Sequence, residues 1–253
     1  MNVDQVGLQL YTVREAAAAD FAATLRAVAA AGYQVVEPAG LHGMTPAEVR
    51  AQLDELGVRA VAAHIAVDRF EQDAEAAIAE LQTLGCSYAV IPFLGQERRG
   101  NAAALRMLAT SFNEWAERCQ AAGLGFAYHN HDFEFATLPG AAGTTFDLFV
   151  EATDPALVTF ELDIYWAQVA GVDPIALLGR LSGRVPLVHL KDRAAGETPT
   201  DAPVGEGTID WAPVLAAAEA AGTEWYIVEQ DHPNDALTDV ATSLRNLQGM
   251  ATR

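Results

Sequence analysis

The run "ALRMLATSFNEWAERCQAAG", residues 104–123, followed after Leu124 by "GFAYHNH", residues 125–131, decides the fold. The first stretch is amphipathic at helical spacing and stops at Gly123, the residue type that most readily takes the left-handed turn ending a helix. The second is short, apolar and aromatic, as a strand covered on both faces must be. Helix, glycine stop and strand with a polar end make one unit of an alternating α/β chain. That polar end holds two of the chain's six histidines. Residues i and i+2 of a strand point to the same side, so His129 and His131 face one space.

The unit recurs without a break in composition. Strand-like runs are "VGLQLY" (6–11), "YQVVEP" (33–38), "VRAVAAHI" (58–65), "SYAVIPF" (87–93), "GFAYHNH", "VTFELDIYW" (158–166), "VPLVHLKD" (185–192) and "EWYIVEQD" (224–231), eight in all. Amphipathic runs such as "TPAEVRAQLDELG", "DAEAAIAELQTLG" and "DWAPVLAAAEAAG" separate them, starting at Thr or Asp and stopping at Gly57, Gly85 and Gly222. Each parallel crossover needs a helix and the series closes at eight, so the pattern predicts an α/β fold, a parallel (β/α)8 TIM barrel spanning residues 1–253 as a single domain. An open doubly wound sheet would carry a glycine-rich phosphate turn after an early strand, and "LQLYTVREA" has no glycine.

Charge narrows the partners. The chain has 34 acidic and 15 basic residues, a formal charge of −19, with the acids spread along its length. A field of that sign repels phosphate backbones and anionic bilayers, so neither nucleic acid nor membrane is an expected partner. Cys86 and Cys119 read as reduced core thiols. The opening "MNVDQVGLQLYTVRE" carries no leader pattern and no apolar run reaches membrane-spanning length, so a soluble cytoplasmic protein is expected. A homo-oligomer is left open.

A barrel of this kind carries its chemistry at the C-terminal ends of its strands. Those ends supply Gln9, Glu37, His64, His129, His131, Asp163, His189, Lys191, Glu229 and Asp231. Histidine and carboxylates dominate, the types that bind divalent cations, where wet strand ends alone would scatter Ser, Thr and Lys. Alternation sorts them into two levels: His129, Asp163, His189 and Glu229 close their apolar runs together, and His131, Lys191 and Asp231 follow two residues later, nearer the mouth. The first four form an N/O shell for one divalent metal ion, better suited to Mn, Zn, Co or Fe than to Mg. Glu161 has the parity of Asp163 but lies deeper and reads as a buried acid paired inside the barrel.

At these residues the sequence resembles the xylose isomerase-like TIM barrels of the sugar phosphate isomerase/epimerase family. The likeness runs through "VGLQLYTVRE", "GYQVVEPAG", "AAHI", "YHNHDFEF", "ELDIYWAQVAGVDP", "GRVPLVHLKD", "PVGEGTIDW" and "WYIVEQD", essentially the whole chain. In that family a divalent metal at the barrel mouth is held by a Glu on strand five, an Asp on strand six, a His on strand seven and a Glu on strand eight. The Asp matches Asp163 in "ELDIYW", the His matches His189 in "VHLKD" and the last Glu matches Glu229 in "IVEQD". The strand-five pattern, usually like "LALENH", matches "FAYHNH" with His129 in place of Glu, while Asn130 and His131 agree.

The resemblance implies an enzyme that removes a proton α to a carbonyl: an isomerase or epimerase of a keto sugar or related polyol, a small carbohydrate. Epimerases of this kind use two metal-bound glutamates as opposed proton donor and acceptor. His129 breaks that pair, leaving Glu229 as base and His131, Glu134 or Lys191 as the opposing acid. Inosose dehydratase-like members resemble the His-rich strand five. They keep a 2-keto polyol substrate and eliminate water, so a lyase is the alternative.

Supporting residues follow from position. Glu37 and His64 are expected to bind substrate hydroxyls or brace the ligands. Lys191 is expected to neutralise an enediolate or a substrate anion, or else to pair with Asp192 or another local acid. Trp166 offers an apolar wall for a sugar face, and Glu206 in "VGEGTID" lies in a glycine-flanked loop suited to a lid. No phosphate site is evident; Arg98 and Arg99 in "LGQERRGN" read as solvated loop residues. An apurinic endonuclease conflicts with the charge and the missing basic stripe. A non-catalytic sugar-binding protein is the remaining alternative.

Overall fold

In the computed structural model, which describes residues 1–140 and 142–251, every apolar run predicted as a strand pairs in parallel with its neighbours. The strands are β1 (Val6–Gln9), β2 (Val35–Glu37), β3 (two segments, Arg59–Ala60 and Ala62–His64), β4 (Tyr88–Ile91), β5 (Gly125–His129), β6 (Val158–Asp163), β7 (Leu187–Leu190) and β8 (Trp225–Val228). β8 pairs with β1, so the sheet curls round on itself. Closure falls at Val61, between the two segments of β3. Its N–H donates to Val36 O at 3.2 Å, and its carbonyl accepts from Ser87 N at 2.8 Å and Tyr88 N at 3.1 Å. One residue thereby passes the sheet from β2 to β4, which is why the predicted third strand appears as two short pieces.

Alternation along each strand separates two apolar regions. Outward-facing residues such as Leu8, Phe126, Tyr128 and Phe160 pack under the helices in one large core. The inward-facing residues form two small clusters, Val35, Val61 and Ile227 in one and Ala62, Val90, Ala127 and Leu187 in the other. These short side chains make a floor, and the polar strand ends stand above it. Gly7 belongs to the floor: a Cβ there would come within 2.8 Å of Ile227 Cδ1 and 2.9 Å of Val35 Cγ1.

The helices begin and end where capping chemistry demands. Thr45 and Glu48 form a capping box on Pro46–Leu56, and Gly57 ends it at φ 66°. Two helical features depart from the sequence reading. The helix expected from Asp73 starts earlier, over Val67–Leu84, and Asp73 breaks it at φ −161° while its carboxylate caps the second half through Ala76 N at 3.0 Å. The end of "VTFELDIYW", read as strand, turns instead into a short helix, Ile164–Val169, capped by Asp163. An antiparallel ladder of Asp192–Arg193 with Asp201–Ala202 extends beyond β7 at the mouth. Cys86 and Cys119 are buried free thiols. Among the described residues no helix is long and apolar enough to cross a membrane.

The crowding at Gly7 gives a test of the floor. Gly7→Val forces the inward layer apart and should destabilise the protein by about 1–3 kcal/mol, the usual cost of overpacking. Urea unfolding measures it, and an unchanged midpoint would show that the floor has room to spare.

Candidate active site

The parallel register sets the lower level of the site. β5 and β6 place His129 beside Glu161, and β6 and β7 place Asp163 beside His189. Glu161 Oε2 lies 2.8 Å from His64 Nε2, 3.0 Å from His129 Nδ1 and 3.1 Å from His189 Nε2. Glu37 Oε2 accepts from Gln9 Nε2 at 2.9 Å and lies 2.8 Å from His189 Nε2. Histidines from three strands thus converge on one carboxylate oxygen. Glu161 is the paired buried acid its parity predicted, but its place at the centre of the histidines was not legible from parity.

The second nitrogens of two of these rings face the next level. His189 Nδ1 is 2.9 Å from Glu229 Oε2, and His129 Nε2 is 3.9 Å from Asp163 Oδ2. Asp163 is fixed by its neighbours: Oδ1 accepts from Trp166 N at 2.8 Å, and the Asn130 carboxamide oxygen accepts from Asp163 N at 3.0 Å. Asp163 Oδ2 is left buried without a hydrogen-bond partner. Lys191 Nζ reaches this level too, 3.2 Å from Asp163 Oδ2, 2.9 Å from Glu229 Oε2 and 2.7 Å from Asp231 Oδ2. It is the only lysine in the sequence and is 1% exposed.

Burial and neighbouring charge set the protonation pattern. Burial, with Glu161 adding to it, pushes the Glu37 carboxyl up to about 7. Burial opposes ionisation of Glu161 as well, but the charge of His189 and hydrogen bonds from three imidazoles hold it well below the carboxylate range. Glu161 is therefore the ionised member of the pair. Burial lowers His129 to about 4, and burial together with His129 lowers His131 to about 2, so both rings are neutral. His189 is the opposite case: Glu161 and Glu229 overcome burial and raise it well above its ordinary value. Burial raises Asp163 to about 6. Burial also opposes charge on Glu229 and Lys191, yet each stabilises the other's charged form.

A cavity of about 480 Å³ opens above these groups, lined by Tyr11, His64, Phe93, His129, His131 and Glu229 among others. His131 stacks on Phe133 with ring centroids 5.2 Å apart and leans on Trp166 at 5.5 Å. Its Nδ1 has no hydrogen-bond partner.

Trp166 packs on His131 and Glu37 lies under His189, both off the cavity lining, and Glu134 and Glu206 are off it too. Glu134 sits in a 3-10 turn, Phe133–Phe135, that folds back so that its carboxylate accepts from Tyr128 OH and from His131 N. It is fully buried and does not line the cavity, so it braces His131 where a mouth acid was expected. Glu206 is exposed and is also absent from the cavity wall. Its loop is tied down by Asp192, which accepts from Gly205 N, Gly207 N, Ile209 N and Trp211 Nε1. Asp192 is thus committed to the loop, and Lys191 pairs with three other acids. Arg98 is bound by Asp68 and Glu71, while Arg99 lies over the Phe133 ring.

The upper donor set suits a divalent metal ion. One donor atom from each of His129, Asp163, His189 and Glu229 lies within 4.8 Å of the others, and all four residues are buried. Two imidazoles and two carboxylates are ordinary ligands for such an ion, and the Lys191 ammonium, 3.2 Å from Asp163 Oδ2 and 2.9 Å from Glu229 Oε2, marks where these carboxylates take a positive charge. A cluster of this kind at the C-terminal mouth of a parallel barrel defines a class of enzyme site.

Comparison gives the family. The family model for the xylose isomerase-like TIM barrel matches residues 25–249, and the chain belongs to that family. It is 28% identical over 248 residues to the inosose dehydratase of Geobacillus kaustophilus (strain HTA426), covering 82% of this chain and 79% of that one. The inosose dehydratase of Lacticaseibacillus casei is 27% identical over 143 residues, 49% of this chain and 46% of its own. A solved sugar phosphate isomerase/epimerase from Parabacteroides distasonis ATCC 8503 matches with a TM-score of 0.82 at 25% identity, over 99% of this chain and 95% of that chain. The IOLI protein, solved with a zinc atom, matches at 0.76 with 15% identity over 98% of each chain, a likeness of fold.

His189 supplies a pH test. An ion bound through its Nδ1 must displace a proton that Glu161 and Glu229 hold well above pH 6.5. Affinity for Zn²⁺ or Mn²⁺ should therefore rise as pH rises above about 6.5, with proton uptake by the buffer visible in calorimetry. An affinity that stays flat between about pH 6 and 9 would remove His189 from the ligand set.

Proposed function

We propose that the protein is a divalent-metal-dependent dehydratase of a keto polyol of the 2-keto-inositol type. The supporting relatives are the inosose dehydratases, and the observation that carries the reading is the one-sided placement of acids around the cavity. The two carboxylates on its lining, Glu229 and Asp231, both stand at the end of β8. Three strands intervene either way round the barrel before β4, whose end, with that of β5, contributes Pro92, Phe93, His129 and His131.

In this reading His129, Asp163, His189 and Glu229 hold the ion, of which Mn, Zn, Co or Fe fits better than Mg. A divalent ion bound there supplies Lewis-acid polarisation of the substrate carbonyl and offsets enediolate charge. Glu229 takes the proton α to that carbonyl. Lys191, 2.9 Å away, keeps the carboxylate ionised and adds positive charge where the enediolate forms. The β-hydroxyl then leaves and carries off the proton that Glu229 took, as water, so one carboxylate serves both steps. His131, neutral, with Nδ1 unpartnered and steadied by Trp166, orients a substrate hydroxyl beside Phe93 on the cavity lining. Glu37 and His64 act mainly from below, on His189 and Glu161. Glu134 holds His131, and Glu206 has no part in the chemistry.

A second reading, epimerisation or isomerisation of a keto sugar, is favoured by the Parabacteroides distasonis structure. Incubation of the metal-supplemented protein with keto-inositols and keto sugars in deuterated water separates the two. A dehydrated product with an absorbing enone supports the lyase; solvent deuterium in an epimer or isomer without loss of water supports the second reading. If no candidate exchanges its α-proton, both fail. Glu229→Gln should lower kcat by about 10²–10⁴, the usual worth of a positioned base.

A further inference from the structure

We infer that Glu161 is the positioning residue for His129, holding its Nδ1 proton so that Nε2 is presented to the ion. The inference rests on the metal-dependent reading above. It starts from the register: His129 and Glu161 are direct neighbours across β5 and β6. The separation of Glu161 Oε2 from His129 Nδ1 is 3.0 Å, and with three ring nitrogens converging on this one oxygen within 3.1 Å it is placed to accept their N–H groups. With the proton fixed on Nδ1, the free lone pair is on Nε2, the nitrogen that faces Asp163 Oδ2.

A carboxylate that accepts one imidazole N–H makes the other ring nitrogen a stronger donor and delivers negative charge toward the metal. The His129–Glu161 pair therefore restores what a glutamate at position 129 would supply directly. The two residues also require each other. A carboxylate at 129 would stand beside the buried Glu161 carboxylate, a like-charge pair in which ionisation of one member is disfavoured.

Three of these rings with Glu161 form an alternative four-donor group: His64, His129, Glu161 and His189. The nitrogens there that face Glu161 are Nδ1 of His129 and Nε2 of His64 and His189, all within 3.1 Å of one oxygen. Serving an ion below and another above would strip His129 of its last ring proton, which a neutral imidazole holds tightly. An ion in the lower group would displace the protons these nitrogens share with Glu161, whereas an ion in the upper group leaves those contacts in place, and on that ground the ion is placed above.

The test is metal binding. Zn²⁺ and Co²⁺ dissociation constants are measured by competition dialysis on wild type, Glu161→Gln, His129→Glu and the double variant, together with the Co²⁺ absorption spectrum. Glu161→Gln should weaken binding about 10–100-fold, as loss of such a partner usually does, and shift the Co²⁺ bands. The double variant should recover to within about threefold of wild type, and His129→Glu alone should bind more weakly than the double. Loss that came only from a damaged fold would not be rescued by a second substitution. Glu161→Gln within twofold of wild type, or a double variant no tighter than Glu161→Gln, overturns the inference. If Glu161→Gln does not fold, ¹⁵N-imidazole spectra of the zinc-bound wild type decide: His129 metal-bound at Nε2 and protonated at Nδ1 supports it, and the reverse overturns it. A wild type that binds no ion sinks the metal-dependent reading and this inference together, whereas tight wild-type binding with unaltered variants sinks only the inference.

Discussion

A carboxylate inside a closed barrel must be neutralised where it stands, because water does not reach it. Glu161 is that carboxylate, fully buried, with three imidazole nitrogens within 3.1 Å of Oε2. Stranding such a charge by removing its partners would cost on the order of 3–5 kcal/mol, so β3, β5 and β7 must each bring a histidine to the same height. Once the lower nitrogens of His129 and His189 are committed to this layer, their upper nitrogens face Asp163 and Glu229. The buried charge at one level thereby sets the donor geometry of the next.

Space for two polar levels comes from the small residues beneath them. Val35, Val61, Ala62, Val90, Ala127 and Gly7, with Leu187 and Ile227, fill the inward positions below them. The large aromatic residues, Phe126, Tyr128 and Phe160 among them, lie on the opposite faces of the same strands, under the helices. Bulk outside and economy inside leave the barrel axis to chemistry.

The barrel and its upper donors were readable in the sequence because both depend on period. Apolar runs alternating with amphipathic ones gave eight strands, and residues ending those runs with shared parity gave His129, Asp163, His189 and Glu229, which the fold brings within 4.8 Å. What escaped depends on how chains cross in space. Glu161 as the centre of three histidines follows from the stagger between strands, which one strand's alternation does not carry. Glu134 was misplaced because a single 3-10 turn reverses the direction of its side chain relative to an extended continuation. Of the acids open to Lys191, its sequence neighbour Asp192 is excluded because adjacent residues of an extended chain point to opposite sides and Asp192 is taken up by the loop of Gly205 to Trp211, which leaves Asp163, Glu229 and Asp231.

The same geometry bears on the choice between proton return and water loss. Epimerisation needs a proton donor on the face opposite the base. Opposite β8, the cavity wall is Pro92 and Phe93, and the nearest ring, His131, is held neutral by burial and has no proton to spare as a cation. On the β8 side, Glu229 lies beside the chain's one lysine, and a proton taken from carbon there is close to any hydroxyl leaving from the same face. Elimination asks only for that one side. In the proposed reading, His129 in place of a strand-five carboxylate leaves the wall opposite β8 without a second acid–base group, while Glu161 beside it supplies negative charge to the ring.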